Sequence, residues 1–111
     1  MSTKLPLDVN DNPIPALRLK NGGAHVINSG AASARNITAF DDGTRVISVF
    51  ASEPVYVAFG DASVIATTSD HYFPAGLYYD MSLGGDGAPQ ATHIAVLQVS
   101  TAGNVYVSEK V

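Results

Sequence analysis

Apolar and polar residues alternate in short runs along most of the chain, and no window carries the 3.6-residue period of an amphipathic helix. The pattern predicts strands over residues 14–20 (IPALRLK), 24–28 (AHVIN), 35–40 (RNITAF), 45–51 (RVISVFA) and 55–59 (VYVAF). It continues with 64–68 (VIATT), a brief extended piece at 72–73, then 77–81 (LYYDM), 92–100 (THIAVLQVS) and 105–108 (VYVS). Between them lie Gly, Pro, Asn and Asp clusters that favour turns: Asn21-Gly22-Gly23, Asp41-Asp42-Gly43, Gly60-Asp61-Ala62-Ser63, Pro74-Ala75-Gly76 and Thr101-Ala102-Gly103-Asn104. The longest loop is predicted over residues 82–89, and residues 101–104 read as a hairpin turn. The strongest pair is 45–51 with 55–59, hinged at Ser52-Glu53-Pro54, and it reads as the centre of the scaffold.

Eight or so short strands at this spacing predict an all-β fold, a single-domain antiparallel β-sandwich or jelly roll. Residues 1–13, polar and Pro-containing, read as an extended N-terminal arm, and 14–111 as the β-domain. The expected core is Val26, Ile37, Val46 or Ile47, Val49, Phe50, Val55, Val57, Phe59, Ile65, Ile94, Val96, Leu97, Val99, Val105 and Val107.

A length of 111 residues fits one domain with one core. The chain has no cysteine, which removes disulfides and thiolate metal sites and fits a reducing cytoplasm. The first residues lack the apolar stretch of a signal peptide, and no apolar run is long enough for a membrane-spanning helix. Only 14% of residues are charged, so the surface is expected to be rich in small polar groups that lose little on being covered. Lys4, Arg18, Lys20, Arg35 and Arg45 precede a stretch, 46–109, that has no Lys or Arg but holds Glu53, Asp61, Asp70, Asp80, Asp86 and Glu109. That distribution argues against nucleic acid, which needs clustered cations, and allows a basic edge of one copy to meet an acidic edge of another.

Candidate chemistry is thin. Asp8-Val9-Asn10-Asp11-Asn12 begins like a calcium loop, but Pro13 stands where that loop needs Gly and Leu19 where it needs Glu. His25, His71 and His93 have no second ligand at a metal-binding spacing. Asp70-His71 lacks a nucleophile elbow, and Asp41-Asp42 precedes Gly as in an ordinary turn. Asn36-Ile37-Thr38 matches a glycosylation sequon, a pattern common by chance. Gly84-Gly85-Asp86-Gly87 lacks the Lys and the strand-to-helix context of a phosphate loop. No catalytic, cofactor or metal site is therefore expected. The tyrosines are more informative, since exposed tyrosines mark sugar platforms and protein interfaces. Tyr72, Phe73, Tyr78 and Tyr79 cluster in one turn-rich segment, with Tyr56 and Tyr106 outward on their strands. With Leu5, Leu7 and Val9 of the arm, Tyr72, Phe73, Tyr78 and Tyr79 form the candidate interface.

From Ala32 onward the chain resembles a family of small all-β structural proteins of tailed bacteriophages and prophages. The resemblance rests on Ser33-Ala34-Arg35, Gly43-Thr44-Arg45-Val46-Ile47-Ser48-Val49, Pro54-Val55-Tyr56-Val57-Ala58-Phe59-Gly60 and Thr68-Ser69-Asp70-His71-Tyr72-Phe73-Pro74-Ala75-Gly76. Thr92-His93-Ile94-Ala95-Val96 and Gly103-Asn104-Val105-Tyr106-Val107-Ser108-Glu109 extend it. It implies a non-enzymatic virion component, assembled in the host bacterial cytoplasm. The favoured expectation is a capsid decoration or cement protein, homo-oligomeric with a trimer favoured, bound to other virion proteins such as the major capsid protein. Neither nucleic acid nor membrane is expected as a partner. The alternatives are a neck or tail component, or a carbohydrate- or receptor-binding module using the Tyr-rich turns, with a glycan as a possible partner.

Overall fold

The computed structural model describes residues 9–12, 17–84 and 89–111. They form eight strands: β1 Leu19–Ser29, β2 Ala34–Arg35, β3 Val46–Ala51, β4 Val55–Gly60, β5 His71–Phe73, β6 Tyr78–Ser82, β7 His93–Gln98 and β8 Gly103–Lys110. One sheet has the order β1-β8-β3-β6 and the other β2-β7-β4-β5. Every pairing is antiparallel.

The connectivity has a simple origin. β1 pairs β8, β2 pairs β7, β3 pairs β6 and β4 pairs β5, so the chain is one long antiparallel ribbon whose tip lies between β4 and β5. Rolling that ribbon on itself brings β3 against β8 and β4 against β7. The result is the two-sheet, eight-stranded jelly roll. Each long connection between consecutive strands, except that at the ribbon tip, passes from one sheet to the other.

The inner faces follow the two-residue alternation of the strands. Ile47, Val49 and Ala51 of β3, Val105 and Val107 of β8, Val55 and Val57 of β4, and Ile94 and Val96 of β7 are buried between the sheets. Ile27, Phe40, Phe73 and Leu83 complete the core.

Two sheet crossings are bound to each other. Ser52 N–H donates to Asn104 O at 2.9 Å, and Asn104 N–H donates to Ser52 Oγ at 2.9 Å. Val99 N–H donates to Pro54 O at 3.3 Å. A Cβ on Gly103 would lie 2.7 Å from Ser52 Oγ and 2.9 Å from Glu53 Cγ, so only glycine fits there without displacement.

Several expectations are corrected. Asn21-Gly22-Gly23 does not end a strand. It forms a bulge in β1, which runs unbroken to Ser29, with Gly22 at φ 76°. Residues 35–40 are not a strand beyond Arg35, because the Asn36 side chain takes over the pairing: Ile94 N–H donates to Asn36 Oδ1 at 2.9 Å. Residues 64–68 form no strand; Arg35 donates to Val64 O at 3.1 Å, and Ala66 N–H donates to Ser33 Oγ at 2.9 Å. The turn at 101–104 closes no hairpin, since β7 and β8 lie in different sheets. Val26, Ile37, Ile65 and Val99 are exposed, and Phe50 and Leu97 sit half-buried on the outward phase of their strands, while of Val46 and Ile47 it is Ile47 that is buried.

Replacing Ile94, fully buried in central strand β7, by alanine is expected to cost about 2–5 kcal/mol in urea unfolding. Ile37→Ala, at a side chain 99% exposed, is expected to stay within about 0.5 kcal/mol, and equal losses would contradict this core. Gly103→Ala is expected to lose about 1–3 kcal/mol through the crowded corner, measured the same way.

Candidate interaction surfaces

The most polar part of the interior is a carboxylate under the β1 bulge. Lys110 pairs Leu19 and Ser108 pairs Ala24, so Lys20, Asn21, Gly22 and Gly23 arch over Glu109. A Cβ on Gly23 would lie 2.9 Å from Glu109 Cβ, so the arch needs glycine where it meets the acid. Glu109 Oε1 accepts from Thr44 Oγ1 at 2.6 Å and from Asp41 N–H at 2.9 Å, and Oε2 accepts from His25 Nε2 at 2.8 Å. The His25 ring stands edge-on to Phe40 at 5.1 Å. Burial pushes the Glu109 carboxyl up, but the Thr44, His25 and Asp41 hydrogen bonds outweigh it and hold the group below its usual range. This cluster ties β1, β8 and the 36–44 connection together, and its side chains are enclosed, so its role is structural.

The other polar candidates are likewise occupied in local structure. Asp70 Oδ2 accepts from Thr67 N–H at 2.7 Å and closes a turn. Asp41 Oδ1 accepts from Gly43 N–H at 2.9 Å. Asn36 of the sequon is buried and donates to Thr38 O at 2.7 Å. His93 is buried beside Thr92, Oγ1 to Nδ1 2.8 Å, and His71 lies at the edge of the sandwich on β5. Among the described residues no group of three His, Cys, Asp or Glu side chains could hold a metal ion.

The candidate interface residues separate in space. Leu5 and Leu7 lie outside the described residues, and Val9 is 99% exposed. Phe73 is a correction: it points inward from β5, is only 5% exposed, and belongs to the core. Tyr72 faces outward on the β2-β7-β4-β5 sheet, Tyr78 faces outward on the other sheet, and Tyr79 points between the sheets. No single platform therefore holds the four aromatics.

Register builds two different surfaces from them. On the β1-β8-β3-β6 sheet, Val26 pairs Tyr106, Tyr106 pairs Phe50, and Phe50 pairs Tyr78. These four outward side chains form a row across all four strands, with the Phe50 and Tyr106 rings 6.4 Å apart. The neighbouring row is Ala24, Ser108, Ser48 and Asp80. Its acid is neutralised by Lys110, whose Nζ lies 2.8 Å from Asp80 Oδ1 and 5.2 Å from the Tyr78 ring centre. The Asp80 hydrogen bond raises the Lys110 pKa. On the opposite sheet Tyr72 pairs Tyr56, which pairs Leu97, with the two tyrosine rings 6.3 Å apart. The outward placing expected for Tyr56 and Tyr106 agrees with this geometry.

A third surface is the open side of the sandwich between edge strands β5 and β6. A cleft of about 330 Å³ lies there, lined by Val57, Phe59, His71, Leu77, Tyr79 and Met81 with their neighbours Tyr72 and Phe73. Phe50 and Val26 were missed as surface residues. Strand parity was the available signal, because Phe50 and Tyr106 alternate with the buried Val49, Ala51, Val105 and Val107.

No protein-family model, no curated protein and no solved structure matches this chain.

The Glu109 cluster predicts a pH response with a definite sign. The folded-state pKa lies below the ordinary glutamate value of 4.5, so the contribution is complete above that value and is lost as pH falls through the folded pKa. Glu109→Gln is expected to cost about 2–3 kcal/mol at pH 7. The deficit should shrink on acidification in paired urea titrations; a deficit constant down to the acid limit would refute the ionised role.

Proposed function

We propose that this protein is a non-catalytic virion structural module that decorates an assembled capsid shell. The observation that carries the reading is the outward row Val26, Tyr106, Phe50 and Tyr78, an aromatic strip on a sheet face whose nearby charges, Asp80 and Lys110, are already paired. Such a face loses little on desolvation and offers rigid tyrosines as anchors. The sequence resemblance to tailed-phage structural proteins supplies the virion context, and the major capsid protein is the partner it implies. The mechanism is mass action: a module that binds only the assembled shell stabilises that shell.

A neck or tail location would use the same face. A glycan-binding role using Tyr72, Tyr78 and Tyr79 is less supported, because Tyr72 and Tyr79 border the β5–β6 cleft while Tyr78 lies on the outer face of the other sheet.

Tyr106→Asp, alone and with Tyr78→Asp, tests the reading on particles stripped of the protein and rebuilt with it. Each variant is expected to keep its thermal midpoint in isolation and to bind particles at least about tenfold more weakly, a loss of about 1.4 kcal/mol. Rebuilt wild-type particles should survive heating that disrupts stripped ones. Unaltered binding by both variants, with no difference in particle heat resistance, would overturn it.

A further inference from the structure

The outward phase of the β2-β7-β4-β5 sheet changes character along its strands. At one end it presents Tyr72, Tyr56 and Leu97. At the other it is built of small residues. Ile94 and Val96 of β7 point into the core, so His93 and Ala95 point out, and their partners on β4 are Gly60 and Ala58. His93 and Ala95 are nevertheless buried. The 61–68 connection lies over this side, held by Ala66 N–H to Ser33 Oγ at 2.9 Å and by Arg35 Nη1 to Val64 O at 3.1 Å. A Cβ on Gly60 would lie 3.0 Å from Val64 Cβ, so the close approach uses the missing side chain. Beside the connection remains a hollow of about 550 Å³, whose lining includes Ser33, Arg35, Ile37, Ala62 and His93. Small-molecule sites occupy roughly 300–1,000 Å³.

Three polar groups in the hollow keep hydrogen-bonding capacity. Arg35 pairs Ala95 across the ladder, which makes it the diagonal neighbour of His93, roughly 7–8 Å away between Cα atoms. Its Nη1 is anchored on Val64 O, so the guanidinium is held in place while its Nε and Nη2 edge presents a fork that fits a carboxylate bidentately. No carboxylate of the described residues pairs with it. His93 bonds to Thr92 Oγ1 through Nδ1 at 2.8 Å. Its Nε2 has no partner among the described residues and is not sealed from solvent. Ser33 Oγ accepts from Ala66 N–H and retains its own proton to donate. A ligand hydroxyl, donor and acceptor at once, suits Ser33 and either tautomer of His93. Ile37 and Ala62 give the hollow an apolar wall for the C–H side of a ring.

The single cation sets the charge of the ligand. Asp61, bonded to Ser63 N–H and hydroxyl, lies within electrostatic range of His93. The site therefore balances one carboxylate better than a phosphate of about −1.5 to −2 charge.

We propose that this hollow binds a sugar acid, with its carboxylate on the Arg35 guanidinium, ring hydroxyls on His93 Nε2 and Ser33 Oγ, and the apolar side of the ring against Ile37 and Ala62. The site lies on the sheet opposite the aromatic row and uses none of its residues, so either reading can fail without the other.

The test is a titration of the isotope-labelled full-length protein with glucuronate, galacturonate and mannuronate, followed by NMR at constant ionic strength. At least one of them is expected to shift the amide resonances of Arg35, Asn36, Ala62 and His93 saturably and to leave those of Val26 and Tyr106 unmoved. Glucose lacks the carboxylate and acetate lacks the ring, and each should bind at least about tenfold more weakly. Arg35→Gln should lose at least about tenfold in affinity with its thermal midpoint unchanged. Ile37→Asp serves if that variant loosens the 61–68 connection: position 37 is 99% exposed, and a like charge at the rim should weaken the uronate without touching the fold. No saturable shift with any hexuronate, shifts confined to other residues, acetate binding as tightly as the uronates, or full affinity in both variants would each overturn the proposal.

Discussion

The structure depends on the corner where two strand pairs change sheets side by side. β3 leads into β4 through Ser52 and Pro54 while β7 leads into β8 through Val99 and Gly103. Reciprocal bonds between Ser52 and Asn104, and that from Val99 to Pro54, hold the crossings in contact. Because β3 pairs β8 in one sheet and β4 pairs β7 in the other, this corner fixes the register of both central ladders at once. A slip of one residue would turn Ile47, Val49, Val105 and Val107 outward. The close approach to Gly103 leaves the corner little freedom to reset.

The opposite end of the first sheet is held by charge. Glu109 is inward on β8, beyond the last apolar layer, and an unpaired carboxylate there would be costly. Three donors from β1 and the 36–44 connection satisfy it, and each is brought from a distant part of the sequence. The β1 bulge makes room for it. A chain with little surface charge thus places one of its few acids where it joins three segments, leaving the broad faces to small polar and aromatic groups.

Those faces are consequences of the same ladders. Inward phases are saturated with Val and Ile, so the larger aromatics Phe50, Tyr78 and Tyr106 fall on the outward phase, and pairing sets them side by side. The ribbon tip and the open β5–β6 side lie at the end of the roll, where among the described residues no further strand covers the interior. The aromatic row and the apolar cleft are therefore separate surfaces, able to meet different partners.

Alternation, turn residues and the lack of helical period were enough to determine an all-β fold of about eight strands, the positions of β3, β4, β7 and β8, and most of the Val and Ile core, since these depend on local pattern. The short edge strands were less legible: β2 yields to the Asn36 side chain, and residues 64–68, though rich in β-branched side chains, bond through side chains and remain irregular. Phe73 read as surface from its tyrosine neighbours, and parity in β5 makes it core. Only the tertiary structure decided that Val26, Tyr106, Phe50 and Tyr78 form one row, that Tyr78 parts from Tyr72 and Tyr79, and that Glu109 sits beneath a glycine arch. Each of these is a matter of register between strands far apart in the chain, and register leaves no mark on the residues that obey it until the strands are paired.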